Sequence, residues 1–408
     1  MSAASGDSPT STMVAARSAE RERLAPFDVQ LRTRLVFGAG SFNRLGALAA
    51  ELGFRRPLLV ADHGLLDVGH VRLAERQLEA VNISVVPFHD FGVNPDTEMI
   101  AVGCKAARPH DVDAIIGLGG GSSMDCAKGI NFVLTNGGRM EDYRGYGKAT
   151  RPLLPMIGIP TTAGTGSEAQ SYAVISDATT HVKMACGDAK AAFSVAILDP
   201  ELTLSQPASV TATSGFDALA HAVETAVTTR RTSLSDCFAR ESWRLLNAHY
   251  ETVLDHPDDL DARAAMQLGA FHAGLAIEQS MLGAAHACAN PLTARHQISH
   301  GVALAIVLPH VVRWNGPEAG PLYSRLLGDR PDDDHLGNDD RDDAADRLAA
   351  RLRHLANRAG LPSKLSAQGV TERDLPQLAE DAALQWTGTF NPRPFAAADA
   401  LEIYRCAF

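Results

Sequence analysis

Between Val29 and about Pro200, short β-branched runs alternate with helical stretches. Pro57–Asp62 reads as a buried strand ending on an acid, Val81–Phe88 (VNISVVPF) as a second strand and Asp113–Leu118 as a third. Amphipathic segments such as Val71–Ala80 lie between them, and this alternation predicts a parallel sheet covered by helices. Past Pro207 the pattern changes to Ala/Leu-rich helical periodicity with almost no strand signal. Thr211–Val227, Ser233–His249, Ala262–Ala285 and Asp342–Ala359 all fit it. The expected organisation is a loose N-terminal extension over 1–26, an α/β domain over 27–205 and an all-helical domain over 206–408, with no internal repeat.

Composition then removes several classes of function. Hydrophobic residues make up 45% and charged residues 21% of the 408, ordinary values for globular chains, so wholesale disorder is excluded. The longest uncharged apolar run, Val302–Val312, carries Pro309 and His310 and falls short of the ~20 residues a spanning helix needs, so no membrane segment is expected. With 48 acids against 37 bases the formal charge is −11, which lacks the basic footprint of a nucleic-acid binder. Nine Asp against two Arg fall in 329–346, a stretch read as a solvated surface loop. The six cysteines are far apart with no C-x-x-C pair, which favours a reducing cytoplasm over a zinc knuckle or a disulfide scaffold. Residues 1–24 lack the apolar stretch of a secretory signal, and Asp7, Glu20 and Glu22 count against a mitochondrial presequence.

Two turns carry candidate nucleotide chemistry. Gly117-Leu118-Gly119-Gly120-Gly121-Ser122-Ser123-Met124-Asp125 follows a predicted strand and enters a helix. Adjacent glycines let backbone approach a phosphate, and the helix N-terminus offers free N–H groups; a tight turn without ligand would use the same residues. Gly158–Glu168 follows another apolar run and adds the hydroxyls of Thr161, Thr162 and Thr165. Asp62, closing an early strand, can accept from a ribose 2′-hydroxyl and would repel a 2′-phosphate, favouring NAD over NADP; otherwise it caps the next turn.

Candidate metal chemistry lies in the helical half. Asp217 and His221 stand at i and i+4 among small and apolar neighbours, so both face one side of a helix. A buried carboxylate and imidazole need a partner, and a divalent cation is a natural one. His286 and His300 follow in a Gly-, Ala- and Pro-punctuated stretch, and an Asp with three His suits Fe²⁺ or Zn²⁺. His296 and His272 compete for the same role.

GLGGGSSMD, IPTTAGTGSE, FDALAHAVE, GAAHACANPLTARHQISHG and the closing Phe390-Asn391-Pro392-Arg393 occur in this order. Together they resemble the iron-containing (group III) alcohol dehydrogenases, from about Arg32 to the C-terminus. The resemblance implies a Rossmann-like domain and a helical domain with the active site between them, as in the dehydroquinate synthase-like fold. It implies metal ligands at Asp217, His221, His286 and His300, for Fe²⁺ with Zn²⁺ as an alternative. It implies NAD contacts at Asp62, Asn94, Gly119, Gly120, Gly121, Ser122, Asp125, Thr161, Thr162, Thr165 and Lys183. The implied activity is hydride transfer between NAD(H) and a primary or secondary alcohol/aldehyde pair, by a homodimer or larger homo-oligomer. Asn290 stands where some relatives carry a histidine proposed to relay protons, and an amide cannot serve as a proton acid or base near neutral pH. Two other readings share the plan: an NAD- and metal-dependent lyase of the dehydroquinate synthase type, and a non-catalytic nucleotide- or metal-binding relative.

Overall fold

The computed structural model describes residues 26–328 and 338–408. The expected N-terminal extension lies, apart from Pro26, outside the described residues. Six parallel strands form the main sheet: β1 (Arg34–Phe37), β2 (Pro57–Ala61), β3 (Val86–Phe88), β4 (Ala114–Gly119), β6 (Met156–Pro160) and β9 (Val195–Leu198), in the order β1-β9-β6-β4-β2-β3. The short β5 (Gly145–Tyr146) with β7 (Tyr172–Ser176) and β8 (Lys183–Gly187) makes a separate three-stranded sheet. Helices α1 (Leu45–Glu51), α2 (Gly64–Asp67), α3 (His70–Glu79), α4 (Thr97–Ala107) and α5 (Gly121–Asn136) connect the strands.

The central strands are apolar at successive positions because both faces are covered. Leu59, Ala61, Ile116 and Leu118 pack against α1 and α3, while Leu58, Val60 and Ile115 point the other way toward α4 and α5. The chain passes from β2 outward to β3 and then returns to pair β4 on the opposite side of β2, with Ala61 opposite Leu118. That reversal opens a crevice between the carboxyl ends of β2 and β4, the usual ligand position in an open parallel sheet.

The second half is helical: α6 (Ala208–Thr225), α7 (Ser233–Asp255), α8 (Leu260–Ser280), α9 (Ala284–His296), α10 (His300–Leu327), α11 (Asn338–Arg358), α12 (Leu375–Ala383) and α13 (Ala397–Ala407). One continuous apolar core joins them. The α/β half followed by an all-helical half is the fold class the sequence pattern predicts.

Three local expectations need correction. The strand expected over Val81–Phe88 shrinks to three residues, because the chain first turns through Asn82 in the left-handed region, at φ 61°. The single helix expected over Ala262–Ala285 is two: α8 stops at Met281, whose φ of 65° no right-handed helix tolerates, and α9 begins after Gly283. The acidic stretch 329–346 is not all loop, since α11 starts at Asn338; its residues 329–337 lie outside the described ones. Within α11, Asp346 pairs with Arg313 of α10 at 2.6 Å, a partnership the charge run does not reveal.

A candidate metal and nucleotide site in the interdomain cleft

Three helices deliver the expected metal ligands to one point. Asp217 and His221 lie one turn apart on α6, with His221 Nε2 3.3 Å from Asp217 Oδ1. The break between α8 and α9 places His286 in the first turn of α9, its Nε2 3.6 Å from the same oxygen. His300 opens α10, with Nε2 3.8 Å from it. Gly301 allows that approach: a Cβ there would sit 2.1 Å from the Thr213 carbonyl of α6. Donor atoms of Asp217, His221 and His286 lie within 4.8 Å of one another. Donors on a tetrahedral cation at ~2.0–2.2 Å stand roughly 3.3–3.6 Å apart; His221 and His286 meet that spacing from Asp217, and His300 at 3.8 Å lies just outside it.

The polar accounting points the same way. Asp217, His221 and His286 are buried, and Asp217 Oδ1 and His286 Nε2 have no hydrogen-bond partner. Such orphaned buried atoms are costly unless something binds them. Burial pushes the Asp217 carboxyl up, but His221, His286 and His300 together outweigh it and hold it well below the carboxylate range. Burial pushes the His286 imidazole down, yet Glu224 and Asp217 raise it to about 9. His221 and His300 are lowered, His221 by burial and His300 by burial with Lys183 adding to it. His272 stands apart, lining a different cavity beside Phe238 and Phe271, and His296 sits in the last turn of α9.

Six of the eleven expected nucleotide residues line the same cavity as the metal ligands. One cavity of about 290 Å³ touches Asn94, Gly121, Ser122, Asp125, Thr165 and Lys183 together with Asp217, His221, His286, Asn290 and His300. The glycine turn and the threonine turn pack on each other, as a Cβ on Gly121 would lie 2.6 Å from Thr165 Cγ2 and one on Gly120 3.4 Å from Thr162. Thr161 N–H donates to the Gly119 carbonyl at 3.0 Å. Asp62 sits just beyond β2 and accepts from Ser123 Oγ at 3.5 Å, while Asn94 N–H donates to Ser122 Oγ at 3.1 Å. Asp62, Gly119, Gly120, Thr161 and Thr162 are outside the cavity lining. Burial lowers the Lys183 ammonium against the pull of Asp217 and Asp125.

Sequence reasoning missed three groups. Lys128 is fully buried on α5 and donates to the Ser167 carbonyl at 2.7 Å, Ser167 Oγ at 3.0 Å and the Tyr172 carbonyl at 2.7 Å. Its signal was a lone lysine in an otherwise small and apolar helix stretch, three residues after Asp125. Glu224 meets Nδ1 of His286, and its signal was its place three residues after His221 on the same helix. Asn391 reaches the start of α9 from the C-terminal Phe390–Arg393 motif.

An α/β half whose switch point faces a helical half, across a cleft collecting an acid and three imidazoles, is the build of a two-domain oxidoreductase. Residues 32–200 match the iron-containing alcohol dehydrogenase family, and residues 211–408 match the C-terminal region of the same family. The chain is 32% identical over 375 residues to the NAD-dependent methanol dehydrogenase of Bacillus methanolicus, covering 91% of this chain and 97% of that one. It is 33% identical to the 1,3-propanediol dehydrogenase of Klebsiella pneumoniae, covering 94% and 99%. Among solved structures, a 1,3-propanediol oxidoreductase superimposes with a TM-score of 0.88 at 32% identity, covering 94% of this chain and 100% of the other. An alcohol dehydrogenase from Oenococcus oeni does so with a TM-score of 0.89 at 29% identity, again covering 94% and 100%. The chain belongs to the iron-containing alcohol dehydrogenase family and is an alcohol/aldehyde oxidoreductase.

Proposed function

We propose that the protein transfers hydride between NAD(H) and a primary or secondary alcohol/aldehyde pair at a divalent cation held by Asp217, His221, His286 and His300. Fe²⁺ is the assigned metal, with Zn²⁺ accepted by the same donors. The observation carrying this reading is that the orphaned Asp217 Oδ1 and His286 Nε2 belong to residues lining the same cavity as Gly121 and Ser122. A cation held there would supply Lewis acidity toward a substrate oxygen, and a nicotinamide bound beside it would supply the hydride donor or acceptor.

The chain's own residues bind, orient and keep the cleft dry. Asp62 accepts from the ribose hydroxyls. The backbone of Gly119, Gly120, Gly121 and Ser122, at the start of α5, holds the diphosphate, with Asn94, Thr161, Thr162 and Thr165 around it. Asp125 and Lys183 line the cavity together with the metal ligands, and Ile277, Leu282 and Trp386 add apolar lining. Asn290 Nδ2 donates to Gln385 Oε1 at 3.1 Å, so an amide, engaged on one side, occupies the position expected of a proton relay. There it can orient a substrate or a water but cannot exchange a proton near neutral pH.

Two broader features complete the reading. A homodimer or larger homo-oligomer fits β1, an edge strand that leaves Leu35 and Phe37 exposed. A cytoplasmic setting fits six free cysteines, four of them buried; among the described residues no helix is long and apolar enough to cross a membrane.

The test is NADH consumption across short, hydroxylated and aromatic aldehydes, after chelation and again after anaerobic Fe²⁺ or Zn²⁺ addition. Turnover that depends on the added metal is expected. Tight NADH binding without turnover for any aldehyde and metal would favour the lyase or non-catalytic reading.

A further inference from the structure

The acid that closes FDALAHAVE and the asparagine of the Phe390–Arg393 motif take no part in the reading above, yet they meet at the start of α9. Glu224 is buried, and its Oε2 lies against Nδ1 of His286. Its other oxygen, Oε1, accepts from the backbone N–H groups of Gly283 at 3.2 Å, Ala285 at 2.7 Å and His286 at 3.4 Å. The remaining N–H of that turn, on Ala284, donates to Asn391 Oδ1 at 3.1 Å. A helix leaves its first N–H groups without partners inside the helix. Here two side chains, one from α6 and one from the C-terminal loop, satisfy all four.

The clamp is itself braced. Asn391 Nδ2 donates to Asn315 Oδ1 and to the Arg393 carbonyl, both at 2.8 Å, and Arg393 Nη1 donates to the Trp314 carbonyl at 2.8 Å. Gly283 has to lack a side chain, since a Cβ would lie 2.9 Å from Asn391 Oδ1 and 3.1 Å from Glu224 Oε1. The positive end of the helix favours a carboxylate at this spot.

The chemical consequence concerns one proton. A carboxylate on Nδ1 holds a hydrogen there, so the proton that a cation displaces from the imidazole is the one on Nε2. Nε2 of His286 is the atom that faces Asp217 Oδ1 and has no hydrogen-bond partner. We propose that Glu224 is the positioning residue of the metal site: it fixes the ring and tautomer of His286 and, with Asn391, fixes where α9 begins. This rests on the reading that Asp217 and His286 share a cation.

The experiment uses the full chain stripped of metal, titrated with Zn²⁺ against a chromophoric chelator and with Co²⁺ by its visible absorption. Melting temperature and NADH binding of the metal-free protein are measured alongside. Glu224→Gln keeps an acceptor for the helix N–H groups but removes the carboxylate from Nδ1. It is expected to weaken Zn²⁺ binding by about 10–100-fold and to shift the Co²⁺ bands, with NADH binding retained. Asn391→Ala removes a cap without touching His286; it is expected to lower the melting temperature and to weaken Zn²⁺ binding less than Glu224→Gln does. Wild-type Zn²⁺ affinity and unchanged Co²⁺ bands in Glu224→Gln would overturn the proposal, as would a simultaneous loss of NADH binding, which marks a merely structural residue. Equal Zn²⁺ binding by the wild type and Asp217→Ala would overturn the metal-site reading itself, and this role with it.

Discussion

Lys128 Nζ lies 2.7 Å from the carbonyl of Ser167, so the helix that begins at the glycine turn is fastened to the end of the threonine turn by one buried cation. Ser167 Oγ in turn donates to Asp125 Oδ1 at 2.8 Å. The two loops assigned to the nucleotide therefore keep their spacing through a fixed polar joint.

Lys128→Met should loosen that joint. Removing one member of a buried charged network costs about 3–5 kcal/mol, so the melting temperature should fall, and the KM for NADH should rise more than kcat falls. Thermal melts and initial-rate kinetics at varied NADH check this; an unchanged KM for NADH would separate the joint from nucleotide binding.

Glu168 gives a pH prediction. Burial raises its carboxyl from the ordinary 4.5 to about 7, against weaker lowering by a backbone hydrogen bond and Lys128. The folded chain thus retains a proton that the unfolded chain has released above its lower pKa. Stability from this group is fully present below about 4.5 and is lost as pH rises through about 7. Glu168→Gln should remove a pH-dependent contribution on the order of a few kcal/mol, so its melting temperature should decline less than the wild type's across that window. Parallel melting curves from acid to neutral pH measure the difference, and superimposable pH profiles would contradict it.

Asp217→Ala should release the metal and cut activity by more than the ~100-fold that loss of an outer-sphere partner brings, while NADH still binds. Metal content by elemental analysis and NADH fluorescence titration check the two halves of the claim. Retained metal with lost NADH binding would reverse the assignment of the metal and nucleotide residues.

Asp62→Gly should shift the cofactor preference toward NADPH by about tenfold or more, equivalent to ~1.4 kcal/mol. The carboxylate stands at the end of β2, beside the switch point, and would repel a 2′-phosphate. The ratio of kcat/KM for the two cofactors reads the effect, and an unchanged ratio would leave Asp62 as a turn-capping acid.

What the sequence exposed and what it concealed divide along physical lines. Pro57–Ala61 and Ala114–Gly119 were legible because strands buried on both faces read as unbroken apolar runs. Asp217 and His221 were legible because a single helix fixes their relation. Choosing His286 and His300 among fifteen histidines needed the wider motif resemblance, since their closeness depends on how α9 and α10 pack on α6. The stop at Met281 was hidden because neither Gly nor Pro stands at that position, and periodicity cannot register a φ of 65°. Asn391 was hidden for a different reason: it is 107 residues from Ala284 along the chain, and no local pattern spans that distance.

The bracing of α9 also sets an order of assembly. Asn391 caps its first turn and Tyr404 OH donates to the Cys288 carbonyl at 2.7 Å, yet both residues come after almost everything else in the chain. During synthesis every strand of the parallel sheet, the last ending at Leu198, emerges well before these two residues do. The first turn of α9, which carries His286, can be capped only once Asn391 has arrived, so the proposed metal site waits on one of the last stretches of the sequence to be made.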